Sequence, residues 1–256
     1  MCTLVILRRP EHMWPVIIGA NRDEMIGRPA SPPARHWPDR PEVIAGLDRL
    51  AHGSWLGIND WGVAAAVLNR HGSLAPAPGR RSRGELVLEA LDHPDAVAAA
   101  EALQHLDPAA YRTFNLIIAD NRDAFWLRHA DGQNIDAWPI PEGLSLIDSG
   151  ELNRPNNRRV TLATPHFRDA APPDPDADDW TAWQALLSSN ESPPGEPPEN
   201  ALRFGTSHGY GTVSSALIAL PQPNAGEQRP RFRYAQWLPD EIAWADVENL
   251  TASAPR

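Results

Sequence analysis

The only cysteine of the sequence is its second residue, Cys2, which follows Met1 directly. Methionine aminopeptidase removes Met1 when the next side chain is small, so we expect the thiol and a free α-amine to share one residue. Their reference pKa values are about 8.5 for the thiol and about 7.7–8.0 for the amine, so a neutral amine is available as a base near neutral pH. A nucleophile activated by its own terminal amine is an established arrangement for acyl transfer. The alternative is that Cys2 is a small apolar side chain at the start of a buried strand.

Polar residues at predicted strand ends provide the other groups that such a nucleophile needs. Arg22 and Asp23 end a strand that we expect to pair with the strand after Cys2, where Arg22 would lower the thiol pKa and Asp23 would hold the amine. Their neighbours Asn21 and Glu24 are predicted to contact the ligand. Asn69 ends a later strand, and its side-chain amide suits an oxyanion hole. Taken one by one, all are also ordinary turn and rim residues, and that interpretation stays open.

The elements that position these residues follow from the hydrophobic pattern. Short apolar, β-branched runs between turn residues predict strands at 3–9, 15–23, 42–49, 53–60, 61–70, 114–120, 124–130, 134–140, 143–149, 209–220 and 229–237. Helical periodicity predicts helices at 82–91, 94–106, 157–167 and 177–189. The first helix has a capping-box signature, with Ser82 followed by Glu85.

This order of elements predicts an α+β protein in which a sandwich of sheets is covered by helices. We expect one domain over residues 1–256. The proline-rich segment 27–41 is predicted to be a loop, because proline is excluded from helix interiors and central strands. Residues 190–201 are expected to form a mobile surface loop, and residues 250–256 a short C-terminal tail.

Composition excludes several classes of function. The net charge is −10, which disfavours nonspecific binding to nucleic acid or to anionic membranes. A single cysteine excludes an intramolecular disulfide framework and a multi-thiolate metal site, and the nine histidines show no closely spaced pair. No apolar run reaches the roughly 20 residues of a membrane span, and the N-terminus lacks a secretory pattern. We therefore expect a cytoplasmic protein without a dedicated metal site.

Six segments together resemble one known family: MCTL, GANRDE, GSWLGINDWGVAAAVLN, SRGELVLEAL, FNLIIAD and YGTVSS. The chain is identified as a member of the NRDE family, also called the transport and Golgi organisation family. This family resembles the N-terminal nucleophile hydrolases, which implies a four-layer αββα sandwich. Within that group the pattern is similar to that of bile-salt hydrolases and penicillin V acylases, which split amide bonds.

The resemblance implies roles for particular residues. Cys2 matches the nucleophile and general base, and Arg22 and Asp23 match the arginine and aspartate beside it. Asn69 matches the oxyanion-hole asparagine, and Asn153 matches a second asparagine of the site. The resemblance thus implies hydrolysis of a carbon–nitrogen amide or related acyl bond in a small molecule.

The same resemblance leaves a noncatalytic function open. Where the family reads GTRSS, this chain has Val213 in place of an arginine, so the site loses a positive charge unless Arg203 or Arg231 replaces it. Members of the family are linked to haem mobilisation and to acyl-coenzyme A handling. The alternative function is therefore a carrier that binds haem or an acyl-coenzyme A type ligand in the same cleft.

Both of these ligands carry anionic groups, and a cluster of arginines before the first predicted helix could bind such groups. Arg80, Arg81 and Arg83 are predicted to bind the anionic part of a ligand. A solvated loop with a helix cap is the alternative interpretation of this cluster. No cofactor is required for the hydrolase, whereas haem is a possible ligand of the carrier, with Cys2 or a histidine as its axial ligand.

Overall fold

The computed structural model describes residues 2–73, 78–130, 132, 134–154, 158–223, 228–238, 241–248 and 250. In these ranges the chain forms the strands β1 (Thr3–Arg8), β2 (Val16–Met25), β3 (Ala30–Ala34), β4 (Val43–Asp48), β5 (Leu56–Asn59), β6 (Ala64–Asn69), β7 (Phe114–Ala119), β8 (Ala124–His129), β9 (Asp136–Pro139), β10 (Gly143–Ile147), β11 (Tyr210–Leu220), β12 (Arg231–Leu238) and β13 (Glu241–Asp246). The α-helices are α1 (Gly84–Leu91), α2 (Ala96–Leu103), α3 (Arg158–Asp169) and α4 (Thr181–Ser188).

The strands form two antiparallel sheets that stack on one another. The first has the order β10-β1-β2-β11-β12-β13, and the second has the order β3-β4-β5-β6-β7-β8-β9. Apolar side chains from both sheets meet in a central core. Helices α1 and α2 pack on the outer face of the second sheet, and α3 and α4 pack on the outer face of the first. These four layers confirm the predicted αββα sandwich.

Strand pairing brings the first residues of β1 to the end of β2. In the β1–β2 hairpin, which the sequence predicted, Thr3 lies opposite Asn21. On the other side of β2, Asp23 lies opposite Thr212 of β11, and the register shifts between Thr212 and Ser214. Arg22 and Asp23 therefore lie beside the start of β1, where Cys2 is located.

Two strands were missed by the sequence reading. Segment 27–41, expected to be a loop, contains β3, which is the edge strand of the second sheet. Its prolines are tolerated there because an edge strand pairs on one side only, and the pairing with β4 shifts in register between Ser31 and Ala34. The other missed strand is β13, which pairs with β12 at the edge of the first sheet.

Three further expectations concern the start of α1, the loop at 190–201 and the C-terminal tail. Helix α1 begins at Gly84, and the Ser82 hydroxyl accepts a hydrogen bond from the Gly84 amide at 3.2 Å, so a capping box with Glu85 does not form. Segment 190–201 contains a 3₁₀ turn at Pro198–Asn200, and its mobility stays a prediction. Of the expected C-terminal tail 250–256, residues 251–256 lie outside the described residues.

Two glycines, Gly53 and Gly84, allow the start of α1 to lie very close to the second sheet. A Cβ atom on Gly53, just before β5, would lie 2.5 Å from the backbone carbonyl carbon of Gly84. The Ser54 amide also donates a hydrogen bond to the Gly84 carbonyl at 3.0 Å. Because the atoms in contact are backbone atoms, no side-chain rotation can relieve the clash of a larger residue.

We therefore expect Gly53→Ala to lower the free energy of unfolding by about 1–3 kcal/mol, measured by urea denaturation, because the added methyl group overpacks this contact. Gly27→Ala is the matched control, since nothing lies within 4 Å of a Cβ at that position. Equal stability of the two variants would contradict the role given to this close approach.

Candidate active site

Cys2 lies in a cleft of about 260 Å³ that is lined by most of the residues singled out in the sequence. The predicted residues that line it are Cys2, Arg22, Asp23, Glu24, Asn69, Arg80, Arg81 and Arg83. They come from the start of β1, the end of β2, the end of β6 and the approach to α1. The fold thus gathers side chains that are up to about 80 positions apart in sequence.

The Cys2 thiol is partly buried. Its Sγ atom donates a hydrogen bond to the Asp23 carbonyl oxygen at 3.9 Å, and the Tyr210 hydroxyl donates to the same oxygen at 3.2 Å. Burial raises the pKa of the Cys2 thiol above its ordinary value, and the nearby Arg22 charge lowers it by less. A thiol with a raised pKa is protonated at neutral pH, so a nucleophilic role for Cys2 requires a base.

The Asp23 carboxylate is fully enclosed and bonded on both oxygens. Its Oδ2 atom lies 2.7 Å from Nη1 of Arg159 on α3, and its Oδ1 atom accepts a hydrogen bond from the Thr212 hydroxyl at 2.8 Å. The Arg159 side chain is only 1% exposed, and its Nη1 also donates to Thr3 Oγ1 at 3.0 Å. This ion pair ties α3, β1, β2 and β11 together next to Cys2, while contact of Asp23 with a terminal amine stays a prediction.

Arg22 is stacked rather than directed at the thiol. Its guanidinium carbon lies 4.0 Å from the centroid of the Trp55 ring, and its Nη2 lies 3.9 Å from Oδ2 of Asp48. Arg22 is buried and Trp55 is partly buried, and this desolvation strengthens the cation–π contact. Arg22 therefore forms one wall of the site together with Trp55.

Asn69 ends β6 and lines the cleft. Within the described part of the chain, its side-chain amide makes no hydrogen bond with another residue. An amide without a protein partner is available to donate to a ligand oxygen, as an oxyanion hole requires.

Of the three predicted arginines, Arg83 is the most buried. Its Nη1 donates to Ser73 Oγ at 2.8 Å and to the Thr113 carbonyl at 3.1 Å, and no carboxylate among the described residues pairs with it. Burial, together with the charge of Arg112, lowers the pKa of Arg83 to about 10, so it is still cationic at neutral pH. The interaction with Cys2 acts in the opposite direction, which places Arg83 within electrostatic reach of the thiol.

The other two arginines of the cluster also contact groups of the protein. Arg81 is half-exposed and forms ion pairs with Glu85 and Glu89, both at 2.6 Å. Arg80 donates from Nη1 to the Tyr111 carbonyl at 2.6 Å. Both line the cleft, but the Arg81 charge is already balanced by the two carboxylates.

Two predicted residues are used elsewhere. The Asn21 amide donates to the carbonyls of Leu187 and Leu202 at 3.0 and 2.8 Å, so its side chain joins β2 to α4 and to the segment before β11. Asn21 is not among the residues that line the cleft, and its contact with a ligand stays a prediction. Asn153 has a positive φ of 56°, and its side chain bonds the Leu146 amide and Ser145 hydroxyl of β10. Asn153 is therefore a turn residue at the sheet edge, and it is not among the residues that line the Cys2 cleft.

The position of Val213, where the resemblance implied the loss of an arginine, is also defined. Val213 lies at the register shift of β11, and neither it nor the two suggested substitutes, Arg203 and Arg231, lines the Cys2 cleft. Arg203 instead donates to the Ser188 carbonyl at 2.9 Å. The positive charge of the cleft comes from other arginines, among which Arg28 and Arg112 were not predicted.

Arg159 is the most important residue that sequence reasoning missed. It lies on the buried face of α3, four and eight residues before Ala163 and Phe167. A charged residue on the apolar stripe of a helix must find a buried partner, because an unpaired buried charge is very costly. The position of Arg159 in this stripe was therefore the available signal.

Two negative findings bear on the range of functions. Among the described residues, no group of three or more His, Cys, Asp and Glu side chains is arranged to hold a metal ion. Across the same residues, none of the helices combines the length and apolarity needed to cross a bilayer.

The fold is that of the N-terminal nucleophile hydrolases. The N-acylethanolamine-hydrolyzing acid amidase ortholog of Caenorhabditis elegans is similar, with a TM-score of 0.56 and 12% identity over 88% of this chain and 95% of that chain. Two variants of the conjugated bile acid hydrolase of Clostridium perfringens are also similar, with TM-scores of 0.54 and 0.55, each at 13% identity over 100% of this chain and 95% of theirs.

The family model of Transport and Golgi organisation 2 matches residues 1–225. The chain belongs to this family, which confirms the family resemblance noted in the sequence. A comparison with curated proteins gave no match.

The buried ion pair makes a direct prediction about stability. Arg159→Met leaves the Asp23 carboxylate buried without its cation, so we expect the free energy of unfolding to fall by about 3–5 kcal/mol. Adding Asp23→Asn to this variant removes the unpaired charge and should restore part of the loss in urea denaturation.

The adjacent residue provides the matched control. Arg158 pairs with Glu196 at the surface and is 56% exposed, so Arg158→Met should lower the free energy of unfolding far less than Arg159→Met does. Similar losses for the two arginine variants would show that the Arg159–Asp23 pair has no special role.

Proposed function

We propose that, after removal of Met1, the protein hydrolyses a carbon–nitrogen amide or related acyl bond with Cys2 as the nucleophile. The observation that carries the proposal is the position of Cys2, beside the buried Asp23–Arg159 pair and in a cleft lined by arginines. The proposed substrate is a small acyl compound that also carries an anionic group. A cytoplasmic location is part of the proposal.

The proposed chemistry assigns a path to each proton and bond. The neutral α-amine of Cys2 takes the Sγ proton, and the thiolate attacks the acyl carbon, forming a sulfur–carbon bond. The Asn69 amide donates to the oxygen that becomes negative. The carbon–nitrogen bond then breaks as the ammonium returns the proton to the leaving nitrogen. Water, deprotonated by the same amine, hydrolyses the thioester and releases the acid.

The comparisons support this proposal at the level of fold. The two kinds of similar protein are named as hydrolases, and one bile acid hydrolase structure is a mutant in which its own second-position cysteine is replaced by alanine. A cysteine at the second position of a chain with the same fold favours the same kind of chemistry.

The charge of the cleft supports an anionic substrate. The chain as a whole has a net charge of −10, yet arginines dominate this cleft. Arg83 is the most buried arginine of the predicted cluster and pairs with no carboxylate of the described residues. Charge-assisted hydrogen bonds to carboxylate or phosphate are among the strongest available. We assign Arg83 to the anionic group of the substrate.

A noncatalytic carrier of haem or an acyl-coenzyme A type ligand is the second candidate. It is favoured by the raised pKa of the Cys2 thiol, which leaves the thiol uncharged at neutral pH without a base. No histidine is among the described residues that line this cleft. Haem in the cleft would therefore depend on the Cys2 sulfur as its axial ligand and on the arginines for its carboxylates.

An acyl-transfer experiment separates the two candidates. Incubation with p-nitrophenyl acyl esters should add one acyl group to Cys2, detected by intact mass and peptide mapping, and Cys2→Ala should remove the adduct. Arg83→Gln should raise KM for substrates with a carboxylate by about tenfold or more, since a hydrogen bond to a charged group contributes about 1.5–3 kcal/mol.

The control removes an arginine at the protein surface. Arg168 is exposed on α3, so Arg168→Gln changes the net charge equally and should leave KM unchanged. A protein that forms no adduct, but binds haem with an absorbance shift that Cys2→Ala alters, would favour the carrier over the hydrolase.

A further inference from the structure

Two arginines that line the Cys2 cleft, Arg83 and Arg112, are held by the same two short segments of backbone. Nη1 of Arg83 donates to Ser73 Oγ at 2.8 Å and to the Thr113 carbonyl at 3.1 Å. Nη2 of Arg112 donates to the Gly72 carbonyl at 2.6 Å. Because Gly72 and Ser73 are consecutive and Thr113 follows Arg112, these contacts hold both guanidinium groups in one part of the cleft.

The two cations repel one another. Burial lowers the pKa of Arg83, and the charge of Arg112 lowers it further, to about 10. Arg83 is nevertheless cationic at neutral pH, so two like charges are kept within electrostatic reach of each other. Such an arrangement raises the free energy of the folded protein, and an anion bound to both groups would remove the repulsion.

Arg83 keeps the bidentate edge of its side chain for a ligand. Its protein contacts use Nη1 alone, and Nε and Nη2 make no hydrogen bond within the described part of the chain. The hydrogens of Nε and Nη2 point in the same direction, so together they can hold two oxygens of one anion. Neither atom is enclosed, and Arg83 lines the cleft.

The carboxylates that line the cleft are engaged by other residues. Those of Asp48 and Glu24 lie 2.7 and 3.7 Å from Nε of Arg28. The Asp23 carboxylate is enclosed in its own ion pair. Since none of the three pairs with Arg83, its charge is left for an anion that enters the cleft.

We infer that Arg83 and Arg112 together bind a phosphate monoester group of the substrate in preference to a carboxylate. A carboxylate has two oxygens, and the Nε and Nη2 donors of Arg83 would occupy both. A phosphate monoester has three terminal oxygens and a charge of about −1.5 to −2 near pH 7, so one oxygen remains for Arg112. The inference rests on the proposed function and names the anionic group of its substrate.

The site lies where one small substrate can use it together with the thiol. Cys2 and both arginines line the same cleft of about 260 Å³, and the charge of Cys2 acts on Arg83. A compact acyl compound can therefore present its acyl carbon to Cys2 and its phosphate to the two arginines.

The test measures the binding of methyl phosphate and of acetate, which requires no turnover. Each anion is titrated into the full-length protein by isothermal titration calorimetry at pH 8 and at low ionic strength, because salt screens such contacts. Methyl phosphate is a dianion at this pH, since the second pKa of a phosphate monoester is about 6. Kd for methyl phosphate should be at least about tenfold lower than Kd for acetate. Equal affinities would overturn the inference.

Substitutions separate the parts of the two arginines. Arg112→Gln should raise Kd for methyl phosphate by about tenfold or more and Kd for acetate by less than about twofold, whereas Arg83→Gln should weaken both anions. Arg168→Gln removes an exposed arginine of α3 and is the matched control, which should change neither affinity. Equal losses for the two anions in Arg112→Gln would overturn the inference. If a variant does not fold, the two anions compared in the unmodified protein decide the question.

The bidentate contact has its own variant. Arg83→Lys keeps the charge and removes the two parallel donors, so it should raise Kd for methyl phosphate by about fivefold or more. An unchanged Kd would show that charge alone attracts the anion and would contradict the geometry given to the site.

The two proposals fail separately. A preference for methyl phosphate without acylation of Cys2 by the p-nitrophenyl esters would contradict the hydrolase and support the phosphate site. Acylation of Cys2 together with equal affinities for the two anions would contradict the phosphate site and leave the hydrolase in place.

Discussion

The site depends on one buried ion pair, between Asp23 and Arg159. Neither side chain reaches solvent. From its place at the end of β2, Asp23 accepts a hydrogen bond from Thr212 at the start of β11. Arg159 donates hydrogen bonds to Thr3, the first residue of β1, and to the Glu199 carbonyl. Burial of two charges costs several kcal/mol, which a hydrogen-bonded partner only offsets, so the pair is better explained by positioning than by net stability. The ion pair positions the backbone around Asp23, whose carbonyl oxygen accepts a hydrogen bond from the Cys2 thiol.

Beside this ion pair, the fold gathers positive charge around the Cys2 sulfur. The approach to α1 adds arginines to the cleft that contains Cys2. Burial raises the pKa of the thiol above its ordinary value, while Arg83 remains cationic at neutral pH. An uncharged nucleophile beside a cationic cleft suits the anionic acyl substrate that we propose.

The sequence predicted much of this arrangement because its strands are short apolar runs between turn residues and its polar residues lie at strand ends. The hairpin that brings Arg22 and Asp23 to Cys2, and the place of Asn69 at the end of β6, follow from that pattern. What it missed depends on tertiary contacts. Asn21 and Asn153 are hydrogen-bonded to backbone groups of other segments, at Leu202 and Leu146. The role of Arg159 depends on its buried partner Asp23. Strand β3 forms because an edge strand tolerates proline.

The central claim is that Cys2 becomes a nucleophile when its own amine is free. The most direct measurement compares iodoacetamide alkylation of Cys2 at pH 7 in folded protein with and without Met1, followed by intact mass, with both forms unfolded in urea as the reference. The account predicts that the form without Met1 reacts at least about tenfold faster when folded, because general-base assistance is then available. Equal rates in the two folded forms would contradict it.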